Sequence, residues 1–320
     1  MKNNMILTYS LWILCLWGGA CSQTYAADGP AAVAQPQNAV WDGNRAMGYI
    51  AKQLSFGSRA LNTPGHQKTI EFIVKELAGT SATIDRQEWA YQGSGGDVYT
   101  LTNIIARFDP ANPRRMIIGT HYDSIGRAYL DPQTPDALMP GANNSASGVA
   151  LLLETARMLS SSPQHPLLGI DLVFFDGEEG PYSLGAGDSH WVALGSPYFA
   201  DHIHELYPKK APEQGIIFDM VCYQNLKLYP ERFSMASAGA EVKKFWDIGQ
   251  VIAPSVFLRK STLTPIADDQ NALAAIGVPS FLVIGFDYAP WFNTTKDTID
   301  KCSAASLEAV GRTLVHYIFL

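Results

Sequence analysis

The sequence predicts a single α/β domain with a central mixed, mainly parallel β-sheet flanked by helices. From about residue 41 onward, short apolar segments alternate with segments of helical periodicity. Several of the apolar segments run directly into Asp, Glu or His, as expected where strands end at the carboxyl edge of such a sheet. The 320-residue chain is 47% hydrophobic and 17% charged, which supplies enough apolar surface for one large core.

The elements follow from the period of the apolar residues. Helices are expected at residues 41–54, 66–77, 147–159, 187–204, 241–252 and 304–319. Strands are expected at residues 83–91, 101–108, 116–119, 170–175, 216–222 and 280–284. Gly79 ends the second helix, and the glycine-rich turn at residues 93–96 separates the first two strands. The alternation of strands and helices in the second half of the chain predicts parallel pairing there.

The N-terminus has the pattern of a secretory signal, assigned to residues 1–27. Lys2 precedes an apolar run at residues 6–17, which is too short for a stable membrane anchor. Cleavage before Cys21 would give a lipoprotein, attached to the membrane through that residue alone, whereas cleavage near Ala26 would release a soluble protein. Both outcomes predict an extracytoplasmic protein, periplasmic or secreted.

After the signal, residues 28–39 are rich in Ala, Pro and Gln and predict an N-terminal tether, so that residues 40–320 form the folded domain. Outside the signal the chain has two cysteines, Cys222 and Cys302. They could form one disulfide or pack separately, because sequence does not show whether they meet. The net charge of −7 and the lack of a Lys/Arg stripe disfavour a nucleic-acid partner.

Candidate site residues lie at the ends of the predicted strands. His121 and Asp123 follow one strand, Glu178 and Glu179 follow another, and Asp219 belongs to a third. Histidines and carboxylates that meet at one sheet edge serve as metal ligands or as general acids and bases. Of two adjacent glutamates leaving a strand, one can hold a divalent cation while the other takes up a proton.

Six motifs occur in the order found in glutaminyl-peptide cyclotransferases, and the related zinc aminopeptidases share most of them. The chain resembles these families from about Trp41 to the C-terminus, which implies a zinc-aminopeptidase-like fold and makes residues 40–320 a catalytic domain. The motifs are His121-Tyr122-Asp123-Ser124, Gly141-Ala142-Asn143-Asn144-Ser145-Ala146-Ser147-Gly148, Phe175-Asp176-Gly177-Glu178-Glu179, Asp219-Met220-Val221, Asp268-Asp269-Gln270 and Phe292-Asn293-Thr294-Thr295-Lys296-Asp297-Thr298.

The resemblance implies a role for each matching position. The zinc ligands fall on Asn144, Glu179 and Asn293. Glu178 falls on the general acid–base, which Asp219 and Asp269 assist through hydrogen bonds.

Further positions of the resemblance surround this set. In the two-zinc aminopeptidases, His121 and Asp219 would hold a second metal, with Asp123 orienting His121. The alternative for His121 and Asp123 is a hydrogen-bonded pair at a strand end. Asp268 and Gln270 are expected to contact the site residues and to hold them in place, without acting as ligands or catalytic groups themselves. Trp291 and Phe292 either wall the substrate pocket or pack in the core.

Three amides depart from the family pattern. Asn144 replaces an aspartate, while Asn293 and Gln270 replace histidines. A neutral amide oxygen is a weak zinc ligand, so zinc, the cofactor that the resemblance implies, is expected to bind weakly if it binds.

The resemblance therefore leads to three functional hypotheses for an exported protein that acts on peptide or protein N-termini. The first is a glutaminyl-peptide cyclotransferase, in which Glu178 deprotonates the α-amine and an N-terminal Gln closes to pyroglutamate. The second is a metal-dependent aminopeptidase. The third is a catalytically inactive homologue that keeps the pocket to bind peptides or a partner.

Overall fold

The computed structural model describes residues 40–93, 95–180, 191–262 and 264–320. The predicted signal and the whole predicted tether, residues 28–39, lie outside these ranges. Within them, no helix is both long enough and apolar enough to cross a membrane. The described residues belong to one compact unit.

The strands form one six-stranded mixed sheet, ordered β1-β2-β4-β3-β5-β6. Strand β2 pairs antiparallel with β1 and with β4, and the remaining neighbours pair in parallel. The fold class predicted from the sequence, a mixed and mainly parallel sheet flanked by helices, is confirmed. The strands are β1 Thr83–Gln92, β2 Val98–Phe108, β3 Arg115–His121, β4 Gly169–Phe175, β5 Gln214–Asp219 and β6 Ser280–Ile284.

Helices cover both faces of this sheet and enclose two apolar clusters. The larger cluster contains the apolar faces of α1, α3, α6 and α8, and the smaller one includes Phe199 of α4 and Leu273 of α7. The helices are α1 Gly43–Leu54, α2 Pro64–Ala78, α3 Ala146–Ser161, α4 Gly195–Asp201, α5 Ile203–Leu206, α6 Arg232–Ile252, α7 Gln270–Ala275 and α8 Ala304–Ile318.

Several predicted boundaries are wrong, for identifiable reasons. The helix expected at 187–204 lies partly outside the described residues, and from 191 it begins only at Gly195 and breaks at His202. The strand expected to reach residue 222 ends at Asp219, because Met220 adopts a positive φ of 49°. Helix α6 begins nine residues before the expected start at 241 and is kinked at Ala238, whose φ and ψ are non-helical.

Cys222 and Cys302 form a disulfide across a sequence separation of 80 residues. The bond fastens the chain just after β5 to the segment just before α8. The residue after Cys222, Tyr223, also forms a β-bridge with Cys302. The alternative of two separately packed cysteines is thereby excluded for this structure.

Candidate active site

The ends of three adjacent parallel strands bring the predicted site residues to one edge of the sheet. His121 ends β3, Asp219 ends β5, and the Glu178–Glu179 pair follows β4 by two residues. Glu178, Glu179 and Asp219 line a cavity of about 440 Å³ at this edge, whereas His121, which is 1% exposed, does not. The position agrees with the general rule for ligand sites in such sheets.

Two buried carboxylates fix the backbone of the loops that carry the site. Asp123 accepts hydrogen bonds from the backbone N–H groups of Glu178 and Glu179, both at 3.1 Å. Asp297 accepts from the backbone N–H groups of Asn143 and Asn144 at 2.8 and 3.1 Å. The positions of Glu179 and Asn144 are therefore set through their main chains.

The three positions that match zinc ligands are adjacent and are joined to each other by hydrogen bonds. The Nδ2 of Asn144 donates to Glu179 Oε1 at 2.6 Å and to Asn293 Oδ1 at 3.3 Å. Asn293 in turn donates from Nδ2 to the hydroxyl of Tyr129 at 3.1 Å. The ionised form of Glu179 can only accept, and the NH₂ group of Asn144 faces it. The side chains of this cluster are thus joined by hydrogen bonds, although Asn144 Oδ1 is buried without a hydrogen-bond partner among the described residues.

This donor set does not fit zinc. Zinc is held by carboxylate, thiolate and imidazole groups, whereas this cluster offers one carboxylate and two neutral amides. The NH₂ group of Asn144 points at the carboxylate that would have to be a ligand. Among the residues that the structure describes, no group of three or more His, Cys, Asp or Glu side chains is arranged to hold a metal.

His121 is fully buried among carboxylates. Its Nε2 lies 3.2 Å from Asp219 Oδ1, its Nδ1 lies 3.4 Å from Asp123 Oδ1, and Glu178 Oε2 is 3.8 Å away. Burial alone lowers the pKa of His121, but the charge of Glu178 and the hydrogen bonds to Asp123 and Asp219 outweigh it and raise this pKa well above its usual value. These contacts agree with a hydrogen-bonded pair at a strand end and equally with a His121 that Asp123 orients.

Burial also shifts the carboxyl groups around His121. It raises the pKa of Glu179 to about 7, a shift that the charge of His121 opposes and those of Asp123 and Asp219 reinforce. The pKa of Glu178 is raised well above its usual value by burial and, against the effect of His121, by the charge of Asp268. Groups with pKa values near neutrality are suited to acid–base work.

The Asp268–Asp269–Gln270 motif enters helix α7 and lies partly behind the cavity. Asp268 lines the cavity, whereas Asp269 is fully buried and accepts from the hydroxyl of Ser196 at 2.5 Å. Burial raises the pKa of Asp269 to about 7 although the charge of His121 opposes the shift. Gln270 donates from Nε2 to the backbone oxygen of Ile266 at 2.9 Å, so its amide supports the loop before α7.

The aromatic wall of the cavity differs from the expected one. Phe292 lines it, as expected, together with Tyr129, Trp191 and Phe286. Trp291 does not line it: its ring lies under the Nζ of Lys301 at 4.7 Å and packs against the smaller apolar cluster. For Trp291 the structure therefore corresponds to the core-packing alternative.

Sequence reasoning missed four residues that organise the site. Trp191 donates from Nε1 to the backbone oxygen of Glu178 at 3.0 Å. The hydroxyl of Tyr129 accepts from the side chain of Asn293, and Asp297 accepts from the backbone N–H of Asn144. Arg59 is fully buried and donates to the backbone oxygens of Pro140 and Gly141 at 2.8 and 2.7 Å, which fixes the loop before Asn144. The available signal was the position of Asp297 inside a matching motif.

Comparison with known proteins agrees with this architecture. The model of peptidase family M28 matches residues 103–318. The chain is 34% identical over 281 residues to the glutaminyl-peptide cyclotransferase of Gloydius blomhoffii, covering 80% of this chain and 75% of that protein.

Among solved structures, the Tannerella forsythia glutaminyl cyclase superposes with a TM-score of 0.80 at 28% identity, over 88% of this chain and 99% of that one. A Zn-dependent exopeptidase from Parabacteroides distasonis gives a TM-score of 0.80 at 27% identity, over 88% and 98% of the two chains. With the sheet-edge site and the ordered motifs, these matches show that the chain belongs to peptidase family M28 and is similar to its glutaminyl cyclases.

Proposed function

We propose that this protein binds the N-terminal residue of peptides or proteins in the sheet-edge cavity, and that it does so without zinc. The observation that carries the proposal is the hydrogen bond from Asn144 Nδ2 to Glu179 Oε1 at 2.6 Å. It joins Asn144 to Glu179 at the positions where the zinc enzymes of the resemblance hold their metal. Of the three functional hypotheses, the binding protein agrees best with this donor set.

The chain's own residues supply what recognition of an amino terminus needs. An α-ammonium group has three donors and no acceptor, so it pairs with carboxylates. Glu178 and Asp268 line the cavity and present carboxyl groups to it. The apolar part of the first residue would rest on Trp191 and Phe292, which line the same cavity.

The second candidate function is cyclisation of an N-terminal Gln. It is favoured by the carboxylates that match the catalytic positions of the family motifs. Glu178 remains within 3.8 Å of His121, and both Glu178 and Asp269 have raised pKa values, chiefly through burial. Such groups could take the proton of the α-amine and return one to the departing ammonia. Without a zinc-compatible donor set, the γ-carbonyl would lack the Lewis acid that the related enzymes use, so turnover is expected to be slow. Aminopeptidase activity would need the same missing metal and is the less favoured reaction.

We further propose that the protein is exported and meets its ligands outside the cytoplasm. The signal-like residues 1–27 support this, and so does the Cys222–Cys302 disulfide, because disulfides persist in oxidising compartments.

Calorimetric titration in EDTA tests the binding proposal. The tripeptide Gln-Ala-Ala-amide should bind, and its N-acetylated form should bind at least about tenfold more weakly, since acetylation removes the ammonium charge. Glu178→Gln should weaken binding of the free amine, whereas Glu308→Gln on the exposed face of α8 serves as the control. Equal binding of the free and acetylated peptides would refute recognition of the amino terminus. Mass spectrometry of the same samples reports pyroglutamate, whose rapid formation in EDTA would favour the second candidate.

A further inference from the structure

A second cavity adjoins the candidate site at the carboxyl edge of the sheet. It measures about 550 Å³ and borders the end of β6, the last strand of the sheet. Four described residues line both cavities, so the two lie side by side, and neither is enclosed by protein. The shared residues are Thr264, Ile266, Ile284 and Phe286.

Phe286 is the large apolar side chain at the boundary between the two cavities. It is 51% exposed, and the centre of its ring lies 5.7 Å from that of Phe292, which lines the first cavity. Aromatic rings at such separations pack favourably, and a further ring can pack against them. The exposed ring of Phe286 therefore provides a packing surface for a ligand that extends beyond the first cavity.

Hydrogen bonds hold the loop that forms the rest of this boundary. The backbone N–H of Ile266 donates to Glu231 Oε2 at 3.3 Å, and the backbone oxygen of Ile266 accepts from Gln270 Nε2 at 2.9 Å. The backbone N–H of Thr262 donates to the backbone oxygen of Pro230 at 2.9 Å. Because the wall is formed in the absence of a ligand, binding does not require the loop to be ordered first, which favours affinity.

The second cavity is suited to an uncharged, apolar side chain. Tyr229 and Phe286 contribute two aromatic rings to it. Among its described lining residues, Lys260 and Asp287 supply one charge of each sign, so the wall does not select an ionic side chain. The hydroxyl of Thr264 lies at the boundary, where it can bond to the main chain of a peptide.

We propose, on the basis of the proposed binding function, that the preferred ligand is a peptide of at least three residues whose third residue is aromatic. Side chains alternate between the two faces of an extended chain, so those of the first and third residues point the same way, about 7 Å apart. With the first side chain in the sheet-edge cavity, the third enters the second cavity and packs on Phe286. The second side chain points away from this wall.

The opposite direction along the sheet edge is less suitable for such a ligand. A third cavity of about 420 Å³ adjoins the candidate site at Trp191, Ala267 and Asp268. Its wall contains several small side chains, Ala193 and Ala272 among them, and Trp191 has the only ring among its described lining residues. It therefore lacks the set of rings that Tyr229, Phe286 and Phe292 provide on the other side.

Peptides that differ only at one residue test the preference. Calorimetric titration in EDTA compares Gln-Ala-Phe-amide with Gln-Ala-Ala-amide. The Phe peptide should bind at least about tenfold more tightly, because full burial of a Phe side chain is worth somewhat more than this factor. Gln-Phe-Ala-amide, which has the same composition as the first peptide, should show little of the gain. An equal gain from Phe at the second residue, or no gain at either residue, would overturn the preference.

A matched pair of variants locates the effect. Phe286→Ala should reduce the affinity ratio of Gln-Ala-Phe-amide to Gln-Ala-Ala-amide to less than about threefold, because the packing surface is lost. Phe233→Ala removes a ring that is 41% exposed and lines neither cavity, and it should leave the ratio unchanged. A ratio that Phe286→Ala does not change would place the third residue elsewhere and overturn the proposal. The wild-type ratio decides the preference even if Phe286→Ala does not fold.

The N-acetylated peptides separate this proposal from the function on which it rests. If Gln-Ala-Ala-amide binds more tightly than its N-acetylated form and Phe at the third residue adds nothing, the preference is overturned and recognition of the amino terminus stands. If the free and N-acetylated forms bind equally, or if none of the peptides binds, the proposed function itself is refuted.

Discussion

The hydrogen bond between Asn144 and Glu179 makes a direct prediction about metal-dependent stability. In Asn144→Asp the donor disappears and a second carboxylate stands about where the NH₂ group lay 2.6 Å from Glu179 Oε1. Loss of a hydrogen bond to a charged group costs about 1.5–3 kcal/mol, and the new repulsion adds to this. Since 1 kcal/mol shifts the melting temperature of a domain of 150–250 residues by about 2–4 °C, a loss of about 1.5–3 kcal/mol should lower the melting temperature of the metal-free variant by roughly 3–12 °C.

Zinc should reverse this loss once a nitrogen ligand is also present. Asn144→Asp combined with Asn293→His provides the two carboxylates and one imidazole that zinc prefers. Zinc at about 1,000 times its dissociation constant would then stabilise the variant by about 4 kcal/mol. Each single variant should gain much less, because either one leaves a defective ligand, and this non-additivity indicates a shared site.

Differential scanning fluorimetry with and without zinc, together with metal analysis after dialysis, measures both effects. The wild type should show no zinc-dependent shift, and Asn225→Asp, an exposed asparagine on the loop after β5, is the matched control. Pyroglutamate formation from a Gln peptide should rise in the double variant, and further with Gln270→His. If zinc fails to stabilise the double variant, the placement of the site is wrong. If zinc stabilises the wild type tightly, the reasoning about the amides is wrong.

Three further predictions concern the rest of the chain. Replacing Cys222 and Cys302 by serine should lower the free energy of unfolding by about 4.5 kcal/mol from loop entropy, since the bond spans a separation of 80 residues; unchanged urea midpoints would contradict this. Arg59→Met should destabilise the protein by about 3 kcal/mol, because two buried carbonyl groups lose their donor, whereas Arg312→Met on the exposed face of α8 should have little effect in the same urea experiment. Mass spectrometry of the mature protein should find an acylated Cys21 or a free N-terminus near Ala27, and an intact Met1 would refute the export signal.

The sheet and its site edge were predictable because one-dimensional patterns encode them. The buried strand β4 is apolar from Leu172 to Phe175, and the change to Asp176-Gly177-Glu178 marks its end. The ends of parallel strands meet at one edge, so the adjacency of His121, Glu178 and Asp219 follows from topology. The family motifs added Asn144 and Asn293, whose neighbourhood no local pattern reveals.

Other features depend on contacts between distant residues and have no local signal. Trp191 lines the cavity, whereas Trp291 lies under Lys301, and no pattern in the sequence distinguishes the two. The kink at Ala238 and the end of β5 at Met220 reflect single backbone conformations that the apolar period does not record. Which of the Asn144 side-chain atoms faces Glu179 also follows only from the three-dimensional structure.

The hydrogen bonds that Asp123 and Asp297 accept explain how the site loops can keep their shape when the side chain at position 144 differs in its chemistry. Both carboxylates hold the backbone N–H groups of the ligand-bearing loops and do not depend on the side chains there. A side chain at position 144 can therefore change from carboxylate to amide without moving the loop. Because the amide supplies the hydrogen bond that satisfies Glu179 in place of an ion, the exchange need not cost stability. A donor set that does not fit zinc is thus compatible with a formed cavity lined by carboxyl groups, which is the condition that the proposed binding function requires.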